Sequence, residues 1–194
     1  MELFLASGSP RRRELLHDLG WIFTVEPARI TETEVPGESA ENMVRRLAET
    51  KAADVRSRHD GCWVVGADTV VVIDGRILGK PKSREEAVSM ICELQGRTHT
   101  VMTGVAVFSA GGNRLVACEK TDVTFRPMSH DEAVAYVEQG ESMDKAGAYA
   151  IQERGTLLVT RVNGCYFNVV GLPLERLSEM MAELGWPLAS QWRG

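Results

Sequence analysis

Cysteine, aromatic side chains and surplus positive charge are all scarce in this 194-residue chain. The four cysteines, Cys62, Cys92, Cys118 and Cys165, lie far apart with no C-x-x-C pair. That spacing argues against a structural zinc site and against a disulfide framework. The formal net charge is −5 and aromatics make up 6%, whereas a nucleic-acid reader needs a broad basic face with interleaved aromatics. No apolar run is long enough to cross a bilayer, and no signal-peptide stretch precedes the first strand pattern. The expectation is a soluble, cytoplasmic protein with no membrane or nucleic-acid partner. A Walker loop and a dinucleotide fingerprint are both missing, which leaves an ATPase or a Rossmann dehydrogenase without support. His17, His59, His99 and His130 show no partner spacing, so neither a nucleophilic triad nor a histidine metal cage is expected. With no repeat, low-complexity tract or Pro/Gly/Ser-rich linker, one domain over residues 1–194 is expected, long enough to bury a sizeable core.

What is present is an alternation of strand and helix signals. Leu3-Phe4-Leu5 reads as a short buried strand, stopped by Ser7-Gly8-Ser9. Pro10 then opens a helix with Leu15, Leu16 and Leu19 on one face, and Ser9 is its expected N-cap. Phe23-Thr24-Val25 reads as a strand, residues 28–38 as a loop, and Ser39 as the cap of a helix to about Arg56. A long apolar run from Trp63 to Ile73 meets the hairpin turn Asp74-Gly75 and returns through Arg76-Ile77-Leu78. Ser83 with Glu86 and Ser129 with Glu132 read as capping boxes of two further helices. Strands are expected near 98–109, 114–126 and 156–162, with a last helix from Pro173 to near Gly185. The pattern predicts α/β architecture with a mixed, strongly twisted sheet and flanking helices.

Several residues fit chemistry better than packing alone. A small-residue turn before a helix N-terminus favours an anion, and Arg11, Arg12 and Arg13 add cations where the helix dipole disfavours them. A phosphate site and a solvated arginine cluster both fit. Asp68 interrupts an apolar run, where a carboxylate is costly unless paired. It reads as a general base, a ligand for a divalent cation, or a turn aspartate satisfied by backbone N–H groups. Lys80 follows the hairpin and can return towards the Asp68 neighbourhood, or stand in solvent. Lys51 lies beside the apolar face of Val44, Leu47 and Ala48, as a snorkelling lysine does. Glu32 belongs to a polar loop, a solvated acid by composition. In residues 143–152, small residues around Gly147 allow close approach of a flat ligand; Tyr149 offers a stacking face and Gln152 an amide.

Leu5-Ala6-Ser7-Gly8-Ser9-Pro10-Arg11-Arg12 is similar to the opening motif of the Maf proteins, which are nucleotide pyrophosphatases. Leu47 to Ala52, Gly66-Ala67-Asp68-Thr69-Val70-Val71, Gly79-Lys80-Pro81 and Asp144 to Tyr149 with Gln152 resemble further motifs of that family, in order, over residues 3 to 185. The resemblance implies an α/β fold of the Maf/inosine-triphosphate-pyrophosphatase kind, with a cleft between two lobes and a homodimeric assembly. It implies hydrolysis of dTTP and UTP, or modified uridine nucleotides, to the monophosphate and pyrophosphate. Asp68 would be the catalytic base, and Glu32 with Asp68 would hold a divalent cation, Mg²⁺ or Mn²⁺. Ile30 and Thr31 stand where the family carries further acids, so Glu34 is a second candidate for the site carboxylate. Ser7 and Ser9 would cradle phosphate, Arg12, Lys51 and Lys80 would offset its charge, and Arg11, Thr69 and Gln152 would set base preference. A non-catalytic nucleotide-binding regulator of cell division would need the cradle but not Asp68.

Overall fold

Leu3, Phe4 and Leu5 are all buried and form the first strand, β1 (Leu3–Leu5), of a computed structural model that describes residues 2–33 and 35–193. Helix α1 (Pro10–Asp18) leads to β2 (Thr24–Val25), and α2 (Ala40–Arg56) leads to β3 (Trp63–Ile73). Both crossovers return the chain parallel to β1, with Leu5 opposite Val25 on one side and Val65 on the other. The chain then runs through β4 (Arg76–Leu78), α3 (Arg84–Leu94), β5 (Thr98–Phe108), β6 (Arg114–Phe125) and α4 (His130–Val137). Two 3₁₀ turns (Ala146–Ala148 and Glu153–Leu158), β7 (Val159–Asn163), α5 (Tyr166–Val170), α6 (Leu174–Glu183) and α7 (Leu188–Gln191) complete it. The strands pair in the order β2-β1-β3-β5-β6-β7, with β4 on β3. Antiparallel β3/β4 and β6/β7 pairs beside the parallel ones make the sheet mixed, as expected.

Two compact units divide the chain. One holds Met1–Asp68, Thr103–Glu119 and Gly171–Gly194; the other holds Thr69–Met102 and Lys120–Val170. In the first, Phe4, Ala6, Ala48, Ala52, Val55, Cys62, Val64, Ala106 and Phe108 form a continuous apolar core. Glycine is required at two points under α2. A Cβ at Gly66 would lie 2.3 Å from the Ala48 carbonyl oxygen, and one at Gly104 would lie 2.0 Å from that of Val44. The helix backbone therefore rests directly on β3 and β5, which fixes the height of every side chain that α2 presents. Trp21, Trp63 and Trp186 pack together, with ring centroids 4.7 Å apart for Trp21–Trp186 and 6.3 Å for Trp63–Trp186. In the second unit, His99, Phe125 and Tyr149 meet edge to face at 4.7–5.3 Å.

Local signals hold with exceptions. Ser39, Ser83 and Ser129 each accept a hydrogen bond from the backbone three residues on. The Ser129–Glu132 box is complete, but the Glu86 carboxylate accepts from Lys82 N–H instead of Ser83. Ser9 occupies the N-cap position of α1 without a side-chain capping bond, and Leu19 is 42% exposed instead of facing the core. The expected strand over 156–162 begins only at Val159, because Thr156 to Leu158 complete a 3₁₀ turn. Five-residue α5 and four-residue α7 carry too little periodicity to be seen in sequence.

Candidate functional site

The turn after β1 and the first turn of α1 are tied together by Arg12. Ser7 Oγ accepts from Ser9 N–H at 3.2 Å and from Arg12 Nη1 at 3.1 Å. The same Nη1 donates to the Ala67 carbonyl at 3.0 Å, and Nε donates to that of Gly171 at 2.7 Å. Ser7 is buried, while Ser9, Arg11 and Arg12 are half-buried. Burial pulls the Arg12 pKa below its ordinary value, opposed by the charges of Asp68 and Glu32. Arg12 thus fastens the small-residue turn to β3, one residue before Asp68.

Asp68 is 8% exposed. Helix α2 brings Lys51 to it, with Nζ 2.6 Å from Asp68 Oδ1 and 2.7 Å from Glu32 Oε1. One ammonium therefore joins two carboxylates supplied by a strand and a loop. Desolvation raises the Asp68 pKa above the ordinary carboxylate value and outweighs the opposing pull of Lys51 and Arg12; Glu32 adds to the rise. Ser7, Arg12, Glu32, Lys51 and Asp68 are thereby brought together. Glu34, the second candidate carboxylate, lies outside the described residues.

In the other unit, Thr69 follows Asp68 on β3 and is half-buried; strand alternation turns its side chain to the opposite face. Lys80 is exposed just past β4. Gly147 N–H donates to the Gly79 carbonyl at 3.0 Å, which sets residues 146–148 beside the Gly79-Lys80-Pro81 corner. Gln152 is half-buried at the mouth of the second 3₁₀ turn, between left-handed residues Ala148 (φ 61°) and Glu153 (φ 57°). Tyr149 does not offer a stacking face. Its ring is buried against His99 and Phe125, and its hydroxyl lies 2.8 Å from His99 Nε2. The sequence shows no partner spacing for His99, because its partner is fifty residues away. Nor does it mark Arg46 on α2, which grips Glu38 with Nε–Oε1 2.8 Å and Nη2–Oε2 2.6 Å. Neither pair has a local spacing signal.

Among the described residues, no group of three or more His, Cys, Asp or Glu side chains could hold a metal ion. Two carboxylates sharing one cationic partner do suit a hard divalent ion of the Mg²⁺ type. Such an ion binds one or two carboxylates and completes its shell with water and substrate oxygens. The donor chemistry of Glu32 and Asp68 fits.

The chain is similar to known proteins over nearly its whole length. The chain is 51% identical over 191 residues to a dTTP/UTP pyrophosphatase of Myxococcus xanthus, covering 98% of this chain and 95% of the relative. It is 50% identical over 186 residues to one of Pelotomaculum thermopropionicum, covering 95% and 97%. A third, from Symbiobacterium thermophilum, is 49% identical over 187 residues and 96% of each chain. The family model described as Maf-like protein matches residues 2–184, and the chain belongs to that family.

Proposed function

We propose that this chain is a nucleoside triphosphate pyrophosphatase that hydrolyses dTTP and UTP, or modified uridine nucleotides, to the monophosphate and pyrophosphate. Relatives of about half-identical sequence and near-complete coverage carry the name dTTP/UTP pyrophosphatase. The observation that carries the mechanism is the buried Asp68 carboxyl, its pKa raised by desolvation and its Oδ1 on Lys51. A general base is most effective when its pKa lies near the working pH, and burial moves Asp68 in that direction. Ionised Asp68 takes a proton from water as the water oxygen bonds to the α-phosphorus. The bond from that phosphorus to the bridging oxygen breaks, and pyrophosphate leaves with the electron pair.

Lys51 and Arg12 hold fixed positive charge where phosphate charge builds, a preorganised electrostatic role. Lys80 contributes the same, and Ser7 and Ser9 with the α1 N-terminus cradle phosphate oxygens. Glu32 and Asp68 would hold Mg²⁺ or Mn²⁺, which supplies charge neutralisation and a polarised water when bound. Arg11, Thr69 and Gln152 set base preference. Residues 1–194 act as one functional domain, in a cytoplasmic homodimer with a small-molecule nucleotide as its partner. No helix among the described residues is long and apolar enough to cross a membrane.

The test is a nucleoside triphosphate panel with Mg²⁺ or Mn²⁺, separating pyrophosphate from orthophosphate, with Asp68→Asn beside the parent. Pyrophosphate from dTTP and UTP, lost in the variant, is the expected result. Nucleotide binding without turnover in both proteins would refute the enzyme reading and leave a binding regulator.

A further inference from the structure

Between Val25, where β2 ends, and Ala40, where α2 begins, the described residues of the segment that carries Glu32 form no helix or strand. Thr31, Glu32 and Thr33 are exposed, so apolar burial does little to hold them. Polar contacts to α2 hold the segment instead, and they run in reverse order along the two pieces of chain. Asp54 Oδ2 accepts from Arg29 N–H at 2.8 Å. Lys51 Nζ meets Glu32 Oε1 at 2.7 Å. Arg46 Nη2 donates to the Thr33 carbonyl at 3.2 Å while the fork of the same guanidinium grips both oxygens of Glu38. One planar group thus holds the residue next to Glu32 and the far end of the segment together.

The Lys51–Glu32 contact cannot do this alone. The Glu32 side chain is 54% exposed, and an ion pair with one partner so exposed contributes little. The Arg46–Glu38 pair differs in kind. It is bidentate, with the Glu38 side chain only 12% exposed, and two parallel charge-assisted bonds impose direction as well as attraction. We propose that Arg46 is a positioning residue that, through Thr33 and Glu38, sets the Glu32 carboxylate opposite Lys51 and Asp68. This rests on the reading of Glu32 and Asp68 as a pair that holds a divalent cation. Lysine at position 46 would keep the charge but not the fork.

The test compares Arg46→Lys, Glu38→Gln, Glu32→Gln and the double variant Arg46→Lys/Glu32→Gln. Two readouts are taken: Mn²⁺ binding to the metal-free protein without nucleotide, and kcat and KM for UTP. Arg46→Lys should weaken Mn²⁺ binding and lower kcat by about tenfold, the usual scale for a residue that orients a metal ligand. KM and the thermal unfolding midpoint should stay close to the parent's. Glu38→Gln should reproduce the effect, and the double variant should be no worse than Glu32→Gln alone, because Arg46 acts through Glu32. Additive losses, or a loss of rate that tracks a fall in the unfolding midpoint, would overturn the proposal. If Glu32→Gln is impaired while Arg46→Lys matches the parent, the positioning role alone fails. If Glu32→Gln binds Mn²⁺ and turns over normally, the role of Glu32 fails and the role of Arg46 fails with it.

Discussion

Replacing Lys51 by methionine keeps a long apolar side chain at this half-buried position and removes only the ammonium. In the parent that ammonium lies 2.6 Å from Asp68 and 2.7 Å from Glu32. It opposes the upward shift that burial imposes on Asp68, while Glu32 reinforces that shift. Its loss leaves two carboxylates facing each other, with Arg12 and Arg46 as the remaining countercharges near Asp68. A hydrogen bond to a charged group contributes about 1.5–3 kcal/mol. At about 1.4 kcal/mol per factor of ten, the ionised fraction of Asp68 falls roughly ten- to a hundredfold on the acid side of its titration. The assay is kcat/KM for UTP across pH, for parent and variant together. The deficit of Lys51→Met should be greatest at low pH and narrow as pH rises, because alkali restores the base without restoring the lysine. A lysine that served only to bind phosphate would give a deficit of constant size. Parallel profiles would therefore refute the argument.

Other perturbations follow from the same geometry. Because burial raises the Asp68 pKa, the stability linked to its proton is complete below the ordinary carboxylate range and lost as pH rises through the raised value. Asp68→Asn lacks that loss, so its stability relative to the parent, measured in urea, should improve as pH rises; a pH-independent difference contradicts this. Burial holds the His99 imidazole neutral, its pKa pushed down from 6.5 to about 4 against the pull of Asp122. The parent should lose about 3 kcal/mol of stability as pH falls between those values. His99→Gln keeps a partner for Tyr149 and should flatten that slope; an unchanged slope refutes the assignment. Gly104→Ala drives a methyl into the backbone of α2 at Val44. It should destabilise by about 1–3 kcal/mol and cut turnover by lifting Lys51, whereas an active variant of parental stability would show that α2 is free to move.

The features legible in the sequence are those whose cause is local. Asp74-Gly75 makes a hairpin turn because both residues adopt positive φ, at 50° and 76°. Capping serines announce three helices through bonds only three residues long. Asp68 stands out because a carboxylate inside Val64–Ile73 needs a special environment, and Lys51 because it borders an apolar stripe. What escaped notice depends on distant partners. Arg12 looks like a surface cation at a helix start, yet its Nε bond runs to Gly171 across 159 residues. Leu157 and Leu158 read as strand, yet Leu157 is 73% exposed on a 3₁₀ turn. Tyr149 reads as a ligand platform until His99 claims its hydroxyl. The helical stripe that exposes Lys51 gives no sign of Arg46, because the Glu38 that it grips belongs to an irregular segment.

The place of Gly171 in the chain also governs when the site is finished during synthesis. Asp68, Lys51 and Glu32 are all made early, but the carbonyl that satisfies Arg12 Nε and the Trp186 ring that packs on Trp21 and Trp63 belong to a stretch made more than a hundred residues later. Domains fold as units while the chain emerges N-terminus first. Here part of the first unit is made before its Gly171–Gly194 segment, and Arg12 Nε waits for the Gly171 carbonyl while Nη1 already has Ser7 and Ala67. A message truncated before that codon yields a chain with every carboxylate and lysine of the site and an arginine held by Ser7 and Ala67 but not by Gly171.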